Sequence, residues 1–200
     1  MGVTKQALGL RERKKIQTIE TIKREAYRLF EENGYANTTV EQITEAAEIS
    51  PSTFFRYFPS KELVLMADDL DRVTIDALAR QPAELSTLHA FRRAFDITMK
   101  TVSQDNWELE RTRQRLVFAI PELKAVQFDA YHRIIRLLAE ADCQRTGRKG
   151  DDFEVRVFFG ALAGALMAVI DRTPGDIEQL YRALDFIEAG MPLGSAGSDS

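Results

Sequence analysis

Four helix-terminating or helix-starting signals fall between residues 33 and 60, and they constrain the N-terminal third of the chain more than anything else in it. Asn33-Gly34 ends a helix, glycine being suited to the left-handed position past a helix terminus. Thr38 and Thr39 each have a Glu or Gln three residues on (Glu41, Gln42), which is the spacing of a capping box, and either can open the next helix. Ser50-Pro51 combines a cap with a proline at the first turn, where its missing N–H costs nothing. Phe58-Pro59 closes the helix that Ser50 opens. The spacing predicts helices over about 13–32, 40–47 and 51–58. The first carries Ile16, Ile19, Ile22, Ala26, Leu29 and Phe30 on one stripe. Three helices in about 50 residues, the second and third joined by a tight turn, is the layout of a helix-turn-helix.

The third helix tests that layout. Phe54 and Phe58 are four apart and share a face that can pack under the first two helices. Ser52, Phe55 and Arg56 then lie together on the opposite face, with Thr53 beside them. Those residue types suit a major groove: arginine reads guanine through two hydrogen bonds, hydroxyls take phosphate or base edges, and a ring can touch a thymine methyl. Tyr57 at the flank and Lys61 just beyond are placed to clamp phosphate. The first turn of the second helix offers backbone N–H groups to another phosphate. Each hydroxyl also has a plainer reading as a cap or surface residue, and for Ser50 the cap reading is preferred. The net charge of −4 argues at first against nucleic acid, but its distribution does not. Residues 1–30 carry eight Lys/Arg against three Glu, a balance of +5, so the remainder sums to −9. A basic end on an acidic body is what a chain with one end on phosphate requires.

The stretch from Arg24 to Leu65 resembles the DNA-binding head of the TetR family of repressors. The resemblance rests on Ala26 to Phe30, Asn33 to Thr39, Gln42 to Ala47 and Ser50 to Glu62, about a fifth of the chain. It implies that Thr39, Gln42, Ser52, Thr53, Phe55, Arg56, Tyr57 and Lys61 contact DNA, and that two chains pair so that two heads enter successive major grooves. Two residues depart from the family pattern. Glu48 stands where glycine is usual in the turn between the second and third helices, and a positive φ there would cost about 1 kcal/mol. Phe55 stands where tyrosine is usual and cannot donate a hydrogen bond to phosphate.

Beyond residue 60 the sequence predicts further helices near 61–79, 84–103, 105–119, 121–146, 151–172 and 176–189, with Asp151 and Asp176 as caps. The expected architecture is all-α with about nine helices. It comprises a basic tail (1–12), the helix-turn-helix head (13–66), a regulatory and dimerisation body (67–192) and a disordered Gly/Ser/Asp-rich end (193–200). The helix at 151–172 is apolar nearly all round and must be covered on several sides. Gly160, Gly164 and Ala168 on it permit close approach of another helix; with Leu180 and Leu184 on the last helix they are the expected dimer contacts, and packing in the body's own core is the competing reading. In the body, Phe91, Phe95 and Met99 form an i, i+4, i+8 stripe, and Trp107, Phe118, Phe128, Tyr131 and Phe159 add aromatic bulk. These residues are either core or the lining of an effector pocket, with Arg113, His132 and Asn106 as polar groups able to face inward. The segment Glu110 to Leu116, followed by Ile120 to Leu123 and the apolar helix, is similar to a subgroup of the family that includes sensors of acyl-CoA thioesters. That similarity implies a small hydrophobic effector such as an acyl-CoA, with Arg111, Arg113 and Arg115 as candidates for an anionic headgroup.

Composition excludes other classes. His89 and His132 are far apart, Cys143 is the single cysteine, and no Gly-rich phosphate loop is present, so no catalytic, metal or cofactor site is expected. The longest apolar run, Val157 to Ile170, is too short to span a bilayer, and the N-terminus has no secretory pattern. A cytoplasmic DNA-binding regulator is expected. Repression fits the resemblance, while an activator, or a regulator answering to a protein partner, shares every feature above.

Overall fold

The structure is a computed structural model that describes residues 9–66, 69–149 and 152–193. Among the described residues there are ten α-helices, one 3-10 turn and no strand. In chain order these are α1 (Leu10–Asn33), α2 (Val40–Ala46), α3 (Pro51–Tyr57), α4 (Lys61–Met66), α5 (Asp69–Ala79), α6 (Thr87–Thr101), α7 (Gln104–Ala119), the 3-10 turn Pro121–Leu123, α8 (Lys124–Thr146), α9 (Phe153–Arg172) and α10 (Ile177–Glu188). The helix expected over 61–79 appears as α4 and α5, with residues 67–68 outside the described part. Of the expected basic tail, residues 10–12 already belong to α1, because Gly9 and not Arg13 marks the helix start. The expected tail from 194 onward lies outside the described residues. The chain forms two compact units, one joining residues up to 69 with 100–130, the other joining 70–99 with 131 onward.

In the first unit α1 buries Ile22, Ala26, Leu29 and Phe30, four of the six expected stripe residues, and Tyr27 joins them. The Tyr27 hydroxyl donates to the Val64 carbonyl at 3.0 Å, tying α1 to α4. Gly34, at φ +81°, ends α1. Thr39 is the cap of α2: its hydroxyl accepts from the Gln42 N–H, and the Gln42 side chain accepts from the Thr39 N–H at 2.8 Å. Thr38 is buried instead, its hydroxyl set against the carbonyls of Leu29 and Gly34 at the end of α1. Glu48, in the turn before α3, has φ +54°, so the left-handed residue of this turn is not glycine. Ser50 caps α3 by accepting from the Thr53 N–H, with Pro51 in the first turn. Leu116, Val117, Ile120 and Leu123 bring α7 and the 3-10 turn into the same core as Phe54 and Phe58.

In the second unit α6 turns Ala90, Phe91, Ala94, Phe95 and Thr98 inward, one face at helical spacing. The Thr98 and Thr74 hydroxyls lie 2.9 Å apart, and each is also within reach of a carbonyl on its own helix, Ala94 at 3.0 Å and Leu70 at 2.8 Å. Asp142 and Arg145 on α8 form an ion pair whose side chains are 0% and 1% exposed. Asp142 also accepts from the Thr87 hydroxyl at 2.8 Å, and Arg145 donates to the carbonyls of Pro82 (2.5 Å) and Leu85 (3.1 Å), pinning the loop before α6. Asp152 caps α9, its side chain accepting from Val155 N–H; the expected cap, Asp151, lies outside the described residues. Asp176 caps α10 as expected, accepting from Gln179 N–H.

Candidate nucleic-acid interface

A helix of seven residues presents few faces, and α3 divides them sharply. Phe54 is fully buried and Phe58 nearly so, their rings 5.9 Å apart. Ser52, Phe55 and Arg56 are exposed, Thr53 and Tyr57 half-buried. Phe55 stays 52% exposed although its ring centre lies 5.5 Å from that of Phe54, the two rings nearly perpendicular, an arrangement that leaves an aromatic surface turned outward. Arg56 lies over the Tyr57 ring at 4.8 Å and donates to its hydroxyl at 3.3 Å. At the N-terminal end the Ser50 hydroxyl lies 2.9 Å from those of both Ser52 and Thr53. The resulting surface combines a forked cation, a ring and short hydroxyls, a set that can address base edges and phosphates together.

The other sequence-selected residues are committed to local structure as well. Thr39 and Gln42 complete the capping box, so the Thr39 hydroxyl and the Gln42 carbonyl oxygen already hold hydrogen bonds. Lys61, half-buried, donates to the carbonyls of Tyr35 (2.8 Å) and Thr38 (3.0 Å), and its ammonium sits 4.3 Å from the Tyr35 ring. Sequence reasoning missed the partner of this lysine. Tyr35 also donates to Glu62 at 2.8 Å. Burial first, then that carboxylate, push the Tyr35 phenol above its ordinary range. The Ser60 hydroxyl above all, with Tyr35 and Lys61 behind it, holds the Glu62 carboxyl below its own range against burial. The only signal in the sequence was an aromatic placed directly after the helix-ending glycine.

The candidate effector residues are shared between the two units. Phe91, Phe95 and Phe159 are buried together in the second unit, Phe91 lying 6.3 Å from each of the other two, and Tyr181 closes on Phe95 at 5.4 Å. Met99 and Tyr131 are half-buried there, and His132 is exposed. Trp107, Arg113, Phe118 and Phe128 belong to the first unit, where Phe128 is 61% exposed. Arg113 is paired with Glu110 and bonded to the Leu65 carbonyl, with its side chain 12% exposed.

The dimer candidates divide too. Leu180 and Leu184 are 5% and 0% exposed within the chain itself, so they already belong to the core of the second unit and a partner could add little to their burial. Gly164 and Ala168 are exposed and Gly160 half-buried. They continue a line of exposed residues on α9 that includes Phe153, Val157 and Ala161, whereas only Val155, Phe159 and Leu162 are buried. At 20 residues, α9 is by length and composition long enough to cross a membrane, which the shorter run Val157 to Ile170 had not suggested. An apolar helix this open on one side needs a cover.

Comparison with known proteins agrees with this geometry. Residues 22–67 match the family described as bacterial regulatory proteins, tetR family, and residues 85–192 match that described as MftR C-terminal domain. The transcriptional regulator TcmR of Streptomyces glaucescens is 37% identical over 172 residues, covering 82% of this chain and 76% of that protein. EthR of Mycobacterium tuberculosis is 34% identical over 82 residues, 38% of each chain. Among solved structures, FadR of Thermus thermophilus, a TetR-family repressor crystallised with lauroyl-CoA, is similar at a TM-score of 0.50 and 25% identity, covering 91% of this chain and 99% of that one. The match at both ends of the chain, with the exposed face of α3, makes this protein a member of the TetR family and a DNA-binding, helix-turn-helix transcription regulator.

Proposed function

We propose that the chain is a ligand-responsive repressor that binds a near-palindromic operator as a homodimer and leaves it when a small hydrophobic effector binds. The observation that carries this reading is the division of α3: Phe54 and Phe58 inside, Ser52, Phe55 and Arg56 outside. One such head buries little surface, and a single module binds weakly. Pairing two chains sets two copies of α3 about 34 Å apart, one helical turn of DNA. The exposed face of α9 through Val157, Ala161, Gly164 and Ala168 is the surface that pairing would cover. An acyl-CoA is the proposed effector class, on the strength of the lauroyl-CoA held by the FadR relative. With no catalytic grouping in the sequence, the protein acts by binding, and its place is the cytoplasm.

The test is binding of the purified protein to its own upstream intergenic DNA at two salt concentrations, with its mass measured in solution. A steep salt dependence, two chains per site and loss of specific binding in Arg56→Ala are expected, and lauroyl-CoA should release the complex. Binding by Arg56→Ala as tight and as selective as the parent would refute the reading of α3.

A further inference from the structure

The six residues of α4 are held from three directions. At its start the Lys61 ammonium is bonded to the Tyr35 and Thr38 carbonyls. Near its end the Val64 carbonyl accepts from Tyr27 of α1, and the next carbonyl, that of Leu65, accepts from the Arg113 guanidinium of α7 at 3.0 Å. Arg113 is in turn aimed by Glu110, through parallel contacts of 2.7 Å and 2.6 Å, and Gln114 steadies the carboxylate at 2.9 Å. The Arg113 and Glu110 side chains are only 12% and 10% exposed. Burying two charges this way is a poor route to stability, since desolvation consumes most of the attraction and an apolar pair of similar size is often as stable. What an apolar pair cannot do is direct an N–H at the Leu65 carbonyl.

We infer that Arg113 is a positioning residue for DNA binding: with Glu110 it fastens α7 to the end of α4 and so sets the attitude of α3, which joins α4 through only Phe58, Pro59 and Ser60. Arg113 touches no nucleic acid in this role. It acts through Leu65, and the charge-assisted bond is the kind whose loss is worth about tenfold or more in an equilibrium. This rests on the proposed repressor function.

The test uses the double variant Glu110→Leu/Arg113→Met in the full chain, which removes both charges of the pair together. Operator affinity should fall about tenfold while the melting temperature stays within a few degrees of the parent's, since relief of the buried charges offsets the lost bond to the Leu65 carbonyl. The slope of log affinity against log salt should be unchanged, because no phosphate contact is lost. Arg113→Lys is the second variant: it keeps the charge beside Glu110 but lacks the planar fork that holds the carboxylate and reaches Leu65 together, so it should show the same loss. Parental affinity in both variants overturns the latch, and so does a reduced salt slope, which would make Arg113 a direct phosphate contact. If the parent chain itself binds no operator DNA, the repressor reading falls and this one with it.

Discussion

Replacing Asp142 with alanine would strand a guanidinium whose side chain is 1% exposed. Arg145 loses both of its contacts with the carboxylate, at 3.0 Å and 2.6 Å, and keeps those with the Pro82 and Leu85 carbonyls. Removing one partner of a buried pair costs about 3–5 kcal/mol, since the remaining charge is neither solvated nor matched. The two surviving carbonyl contacts place the expected loss at the lower end, about 3 kcal/mol. Thr87 adds little to it, because its half-buried hydroxyl can turn to water. In a chain of this size that is a drop of roughly 6–12 °C in melting temperature. The double variant Asp142→Leu/Arg145→Met removes both charges, and the Pro82 and Leu85 carbonyls it releases belong to an exposed and a half-buried residue. It should lie within about 1–2 kcal/mol of the parent. Thermal and urea unfolding followed by circular dichroism at one fixed protein concentration would measure both. Equal losses in the single and double variants would refute the reasoning, by showing that the cost arises from lost packing and not from an unmatched charge.

Two further outcomes concern the second unit. Burial first, then the hydrogen bond to Asp96 and its charge, push the Tyr181 phenol up to about 12. An unfolded tyrosine titrates near 10, so this contribution to stability is fully present below about pH 10 and declines as pH rises toward 12; Tyr181→Phe should lessen that alkaline decline, and an identical decline in the variant would count against it. If α9 is the surface of the proposed homodimer, Val157→Glu, which places a carboxylate on its exposed face, should give a folded monomer in light scattering where the parent gives a dimer; a dimer in both would move the proposed interface elsewhere.

What could be read from the sequence was the part of the structure whose partners lie within a turn of one another. The capping pair Thr39 and Gln42, the Ser50-Pro51 start of α3 and the Asp176 cap each act over three residues or fewer. The inside and outside of α3 came from a four-residue spacing in the same way. With two adjacent aspartates before α9, composition could not say which would reach the third N–H, and Asp152 does. Contacts made over long separations carried no local signal: Lys61 to Tyr35 across 26 residues, Arg113 to Leu65 across 48, Arg145 to Pro82 across 63. Hence Arg113 looked like a ligand for an anionic group when it is bonded to protein on both sides. The apolar stripe of α10 was legible as a stripe, but a stripe does not name its partner, and Leu180 and Leu184 turned out to be covered by their own chain.

The anchoring of Lys61 bears on how readily the head can meet an anion. A surface lysine usually wanders among many rotamers, and stopping it costs roughly 0.5–1.5 kcal/mol at the moment of association. Here folding has already stopped it, with two carbonyls and a ring face holding the ammonium at the start of α4. Its positive potential is therefore stationary, a fixed landmark and not a cloud averaged over a swept volume. A phosphate arriving at this end of α4 would find the charge already in place, and the binding would carry a smaller entropic toll than the same lysine on a free stem. By the same token the charge could not follow a phosphate that arrived out of register, so a contact of Lys61 with a duplex would favour one spacing between that phosphate and α3.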